Sequence, residues 1–199
     1  MNAMGKRIAA PSVIGTNCDH GPAMLMAVKG EVQPQYEETS LGLPVVLMNA
    51  VEIKRCPNCG EILSVKIPDL QNLIAAMGVM RVGNPLKLAA MDIKFLRKAL
   101  NITARELADR LEVSPETISR WENGKDVIGP ANEKLLRLIV GDALTSDAPA
   151  IDFDPDAIIN MRVEIARSAD GEDRAPMCFE RIRFKRPAHP KEDQWDAAA

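Results

Sequence analysis

Four helical segments follow one another between Met91 and Ile139 with only tight turns between them, and this constrains the fold more than any other feature. Phe95, Leu96, Ala99 and Leu100 recur at helical spacing, and Asn101-Ile102 makes a turn. Thr103 and Glu106 form a T-x-x-E capping box ahead of Leu107, Ala108 and Leu111, and Leu111-Glu112-Val113 closes that short helix. Ser114 then serves as an N-cap with Pro115 at the first helical position. The third helix carries Ile118 and Trp121 and stops at Asn123-Gly124. Gly129-Pro130 opens a fourth, whose broad apolar face holds Leu135, Leu136, Leu138 and Ile139. Short helices joined this tightly predict a compact all-α domain. Helix, tight turn and a helix opening on Ser-Pro and closing on W-E-N-G is the pattern of a helix-turn-helix.

A second signal lies upstream. Cys56-Pro57-Asn58-Cys59-Gly60 is a CPxCG knuckle: two thiolates that can chelate one ion, a proline that shapes the turn, and a glycine that lets backbone N–H groups approach sulfur. Zinc takes four tetrahedral ligands, so a second pair is required. Cys18-Asp19-His20-Gly21 offers Cys18 and His20, again followed by glycine, with Asp19 as a substitute and His189 further off in the tail. A redox CxxC needs the motif at a helix start in a βαβ setting, whereas Glu61 to Val65 reads as a strand. A catalytic zinc needs an open position and a nearby base, and neither H-E-x-x-H nor H-x-E…P-C-x-x-C is present. The expected metal is therefore a structural Zn2+, and the chain is not expected to be an enzyme. Cys178 reads as a small buried apolar residue.

Around these signals the chain divides into three: 1–83 as a zinc-binding unit with a linking helix, 84–142 as the helix-turn-helix domain, and 143–199 as an extension and tail. Glu31 to Tyr36, Val45 to Met48 and Val51 to Lys54 read as short strands, and Asp69 as the N-cap of a helix from Leu70 to Met77 leading toward Gly83. Met161 to Ile165 and Cys178 to Phe184 alternate in polarity across a turn at Asp170 to Asp173, which predicts a β-hairpin. Pro187 to Ala199 reads as a disordered tail. The fold class is α+β: a small β-rich N-terminal unit, an all-α helix-turn-helix domain and a C-terminal β-hairpin appendage.

The formal charge of −3 is unevenly spread: net 0 over 1–86, +2 over 87–141 and −5 over 142–199. The middle segment is thus the place to look for an anionic partner. No window approaches 18 uninterrupted apolar residues and the N-terminus has no apolar signal region, so a membrane span and secretion are not expected. Four cysteines with a single CxxC fit a reducing, cytoplasmic setting.

The segment LRKALNITARELADRLEVSPETISRWENGK resembles the Cro/phage-repressor (XRE) class of DNA-binding domains. The resemblance implies that Ala108, Val113 and Ile118 are core positions and that Arg97 and Glu122 form a structural ion pair. It implies that the third helix enters the major groove. Arg120 is then the candidate for a bidentate contact to guanine, Glu116 for a cytosine amino group or for orienting Arg120, and Thr117 for a thymine methyl or a phosphate. Ser114, Arg105 and Lys125 would touch phosphates. Ala104 stands where the class often has glutamine.

The combination of a CPxCG unit, a connecting helix and a helix-turn-helix resembles the MqsA-like (YgiT-type) zinc finger/helix-turn-helix antitoxins over about residues 15–142. That resemblance implies a structural zinc on Cys18, His20, Cys56 and Cys59, homodimerisation, and repression of the protein's own operon through a palindromic operator. It also implies a toxin partner, often an RNase, held by the N-terminal unit. This chain departs from the pattern in having CxH for the first knuckle and in residues 143–199, which have no counterpart there.

Overall fold

The computed structural model of the chain describes residues 28–165, 176–183 and 193–197. Five short strands come first: β1 (Glu31–Val32), β2 (Gln35–Glu38), β3 (Val45–Met48), β4 (Glu52–Arg55) and β5 (Ile62–Lys66). The helices follow as α1 (Leu70–Gly83), α2 (Ala90–Ala99), α3 (Ala104–Arg110), α4 (Pro115–Glu122), α5 (Pro130–Leu144) and α6 (Pro155–Asn160). Strands β6 (Met177–Arg183) and β7 (Asp193–Ala197) end the described chain. The α+β class and the helical middle agree with the sequence reading.

The strand expected over Glu31 to Tyr36 is broken in two, and its halves go to different sheets. β1 pairs with β4, which pairs with β5, all antiparallel. β2 pairs antiparallel with β3 in a four-stranded sheet ordered β2-β3-β6-β7. Pro34 lies at the break, where it cannot donate to a ladder.

The C-terminal pairing differs from the expected hairpin. β6 runs parallel to β3, with Leu47 opposite Phe179, and β7 runs antiparallel to β6. Residues 161–165 do not pair with β6: Glu164 bridges to Leu86, with backbone bonds from Lys87 N–H to Glu164 O (2.8 Å) and from Glu164 N–H to Pro85 O (2.9 Å). The expected turn at Asp170 to Asp173 lies outside the described residues. The pair β6–β7 is therefore no appendage but half of the second sheet. Burial explains the choice, because Phe179 and Trp195 are almost fully covered there (0% and 1% exposed). Phe179 is buried on β6, whereas Cys178, read from the sequence as buried, is half-exposed. Residues 193–197, read from sequence as tail, form an edge strand, and the Trp195 indole Nε1–H donates to Asp69 O (3.3 Å).

α1 is apolar on nearly every side, with Leu73, Ala75, Ala76, Met77, Val79 and Val82 buried, as expected of a helix covered all round. It packs against α5, α2, α6 and β7, and so joins the sheet to the helical body. A Cβ on Gly78 would come within 2.6 Å of Leu144 Cδ1, so a larger residue there would require the Leu144 side chain to shift. Asp69 precedes α1 in the left-handed region (φ 44°) and makes no side-chain cap, unlike its expected role. Leu135 also departs from expectation, being an exposed position of α5.

The connection from α1 to α2 is clamped by buried charge. Arg81 grips Asp92 through Nε and Nη2 (both 2.9 Å) and donates to Leu86 O and Lys87 O. Arg137, fully buried, donates to Val82 O (2.8 Å), Asn84 O (2.5 Å), Leu86 O (2.7 Å) and Glu133 Oε1 (2.8 Å). Glu133 also accepts from Lys87 Nζ (3.0 Å) and the Leu88 N–H (2.9 Å). Backbone carbonyls that would otherwise be orphaned at the end of α1 are thus satisfied by two guanidinium groups.

Candidate nucleic-acid interface

Three successive helices end the same way. After α2, α3 and α4 the chain passes through a left-handed residue, at Asn101 (φ 54°), Glu112 (φ 52°) and Gly124 (φ 67°). In each case the next N–H reaches back five residues to the helix: Ile102 to Arg97 O, Val113 to Ala108 O and Lys125 to Arg120 O. This is the Schellman closure, which reverses the chain within two residues. It explains how three helices fit between Ala90 and Glu122. Glycine stands at one of the three left-handed positions, and asparagine and glutamate are accepted at the others.

The helix starts are fixed as the sequence predicts. Thr103 Oγ1 accepts from the Glu106 N–H (3.2 Å) and Glu106 Oε2 from the Thr103 N–H (2.7 Å). The Thr103 N–H first, and then the Thr103 hydroxyl, hold the Glu106 carboxyl below its ordinary pKa. Ser114 Oγ accepts from the Thr117 N–H (3.2 Å) and lies 3.1 Å from Thr117 Oγ1. Arg97 ties the assembly together, with Nη2 donating to Glu122 Oε2 (2.9 Å) and Nη1 to Ile102 O (3.1 Å). The Glu122 hydrogen bond keeps the guanidinium charged, raising its pKa. The expected structural ion pair is therefore present, and it joins α2 to α4. Ala108, Ile118 and Trp121 are buried and Val113 half-buried.

What α4 turns outward is polar: Glu116, Ser119, Arg120 and Asn123 are exposed and Thr117 half-buried. Ser114 stands exposed at its start, Lys125 just beyond its end, and Arg105 on α3. Glu116 is held ionised, its pKa lowered by its own backbone N–H and then by the Ser114 hydroxyl. The partner of Arg120 is Asp126, whose Oδ2 accepts from Nε (2.5 Å) and Oδ1 from Nη2 (3.1 Å). The sequence offered Glu116, one turn earlier, for that task. Asp126 was not legible as its neighbour because the contact depends on the chain reversal at Gly124.

Residues 93–139, from α2 into α5, match the sequence family described as Helix-turn-helix. This segment is a helix-turn-helix domain, of the kind found in DNA-binding transcription regulators. No curated protein and no solved structure matches the chain. Among the described residues no helix of this protein is long and apolar enough to cross a membrane.

The knuckle residues lie outside the helix-turn-helix, between β4 and β5. The Cys56 N–H donates to Glu61 O and the Gly60 N–H to Cys56 O (both 2.8 Å), with Gly60 in the left-handed region (φ 75°). Cys56 is buried and Cys59 exposed, and neither is in a disulfide. Two thiols on one hairpin tip fit half of a tetrahedral zinc set. Cys18 and His20 lie outside the described residues, and among the described residues no third ligand joins the two cysteines.

Proposed function

We propose that the protein is a sequence-specific transcriptional regulator, an autorepressor that binds a palindromic operator as a homodimer with α4 in the major groove. The observation that carries this reading is the outward face of α4. Its polar residues project from a helix fixed at both ends and braced by the Arg97–Glu122 pair. In that pose Arg120 reads guanine, Glu116 accepts from a base amino group, and Thr117 lies against a thymine methyl or a phosphate. Arg105, Ser114 and Lys125 touch phosphates and set the register.

A structural zinc on Cys18, His20, Cys56 and Cys59 belongs to the same proposal, supported by the two cysteines that the CPxCG turn brings together at the β4–β5 tip. The ion would cross-link chain segments that hydrogen bonds alone hold weakly. The alternative is an antitoxin that neutralises a toxin through the N-terminal unit. It draws support from the sheet edges β2 and β5, to which an extended segment of a partner can add.

The test is binding of the purified protein to its own upstream DNA at near-physiological salt, beside a scrambled duplex. The native duplex is expected to be preferred, and Arg120→Ala to weaken binding about 5- to 150-fold. Equal, steeply salt-dependent binding to both duplexes would overturn the regulator reading. Co-purification of a small basic protein from the native host would favour the antitoxin.

A further inference from the structure

We infer that Asp126 is a positioning residue that orients Arg120 to read guanine. The inference deepens the operator-binding reading above and rests on it.

Gly124 reverses the chain at the end of α4, with its N–H on Trp121 O (3.1 Å) and the Lys125 N–H on Arg120 O (2.9 Å). The Asp126 N–H is also directed at Arg120 O, at 3.4 Å. Asp126 is thus tied to the backbone of the residue whose side chain it holds. Its carboxylate takes the Nε–Nη2 edge of the guanidinium. A guanidinium has five N–H donors in a planar fork. That grip uses two and leaves the end of the fork, Nη1 with the second hydrogen of Nη2, free for a ligand.

Guanine presents two acceptors, O6 and N7, toward the major groove, whereas adenine pairs an acceptor with a donor, cytosine shows a donor, and thymine has one acceptor beside a methyl. An arginine fixed end-on therefore matches guanine best. An arginine that is not held can swing to a phosphate, a contact without sequence information. The Asp126 charge also opposes that alternative, since it repels the phosphate backbone. Both side chains are about half exposed (54% and 44%), so the pair adds little to folding stability.

The experiment is selection from a randomised duplex library at near-physiological salt, using the full chain as wild type, Asp126→Ala, Asp126→Asn, Arg120→Ala and the Asp126→Ala/Arg120→Ala double variant, with thermal midpoints measured alongside. Wild type is expected to select a half-site with one dominant guanine that Arg120→Ala loses. Asp126→Ala is expected to relax that position about five- to tenfold, leaving the other positions and the thermal midpoint unchanged. Asp126→Asn, which keeps one acceptor, is expected to fall between, and the double variant to match Arg120→Ala. Undiminished guanine preference in Asp126→Ala overturns the inference, as does loss of preference at every position together. If wild type selects a site whose bases survive Arg120→Ala, only this inference falls. If wild type selects nothing, the operator-binding reading falls and takes this one with it.

Discussion

In the helix-turn-helix domain the helix ends are closed by residues no more than six positions away, as Thr103 is by Glu106 and Arg120 by Asp126. In the second sheet the decisive contacts join distant residues: Val45 faces Met177, and Trp195 bonds to Asp69, 126 residues earlier. One region is built by short-range backbone chemistry and the other by burial that only the finished chain can supply. Local closure makes a region fold early and tolerate change elsewhere, whereas distant pairing makes a region hostage to its last strand.

The largest expected effect comes from breaking the joint between the two regions. Glu133→Ala removes the carboxylate that accepts from Arg137, Lys87 and the Leu88 N–H, leaving the buried Arg137 without the carboxylate it bonds. Chemical denaturation is expected to show a loss of about 3–5 kcal/mol. Burial pushes the Glu133 carboxyl up, but the bonds from Arg137, the Leu88 N–H and Lys87 together bring it below the ordinary glutamate value. A depressed carboxylate contributes stability that is complete above the unfolded value, about 4.3, and lost as pH falls through the folded one. Acid unfolding of the wild type should therefore steepen below about pH 4, and Glu133→Gln should flatten that limb.

Trp195→Ala tests the hostage strand. It is expected to cost the sheet about 3–5 kcal/mol by loss of a fully buried indole. The chain has two tryptophans, so the variant leaves Trp121 as the sole indole reporter, within the helix-turn-helix. A Trp121 transition that stays near its wild-type midpoint while β-sheet signal is lost would show the regions to be separable. Coincident loss would show one cooperative unit.

Smaller effects probe local closure itself. Ser114→Ala deletes the N-cap of α4 and is expected to cost about 1 kcal/mol in thermal unfolding. Glu112→Gly should have the opposite sign. It relieves a left-handed glutamate, and even after the added freedom of the unfolded chain a gain of roughly 0.5 kcal/mol is expected.

The same contrast governs what could be read in advance. Capping boxes, Ser-Pro starts and glycine stops are signals within four residues, and so Thr103, Glu106, Ser114 and Gly124 announced the helices. The Arg97–Glu122 pair was legible because the resemblance supplied a spacing that composition does not. The partner of β6 was not legible. The alternation from Cys178 onward states that a strand exists, not which of Met161 or Val45 lies beside it. Trp195 sits among polar neighbours and reads as tail, because nothing local states that its indole donates to the Asp69 carbonyl at the start of α1. Asp126 falls between these cases: its neighbour is six residues off, yet their contact requires the geometry of the Gly124 turn.

The parallel pairing of β3 with β6 has a consequence for synthesis. Translation delivers β3 about 130 residues before β6, an interval on the order of ten seconds at ordinary ribosomal speed. Throughout that interval the edge of the Val45-Val46-Leu47 strand that will take β6 lacks that neighbour, and toward its end the helix-turn-helix, already synthesised, can hold all its own closures. A nascent chain of this protein therefore carries a finished helix-turn-helix and an open apolar strand at once, which makes it a target for strand-capturing chaperones and for self-association before the second sheet is sealed.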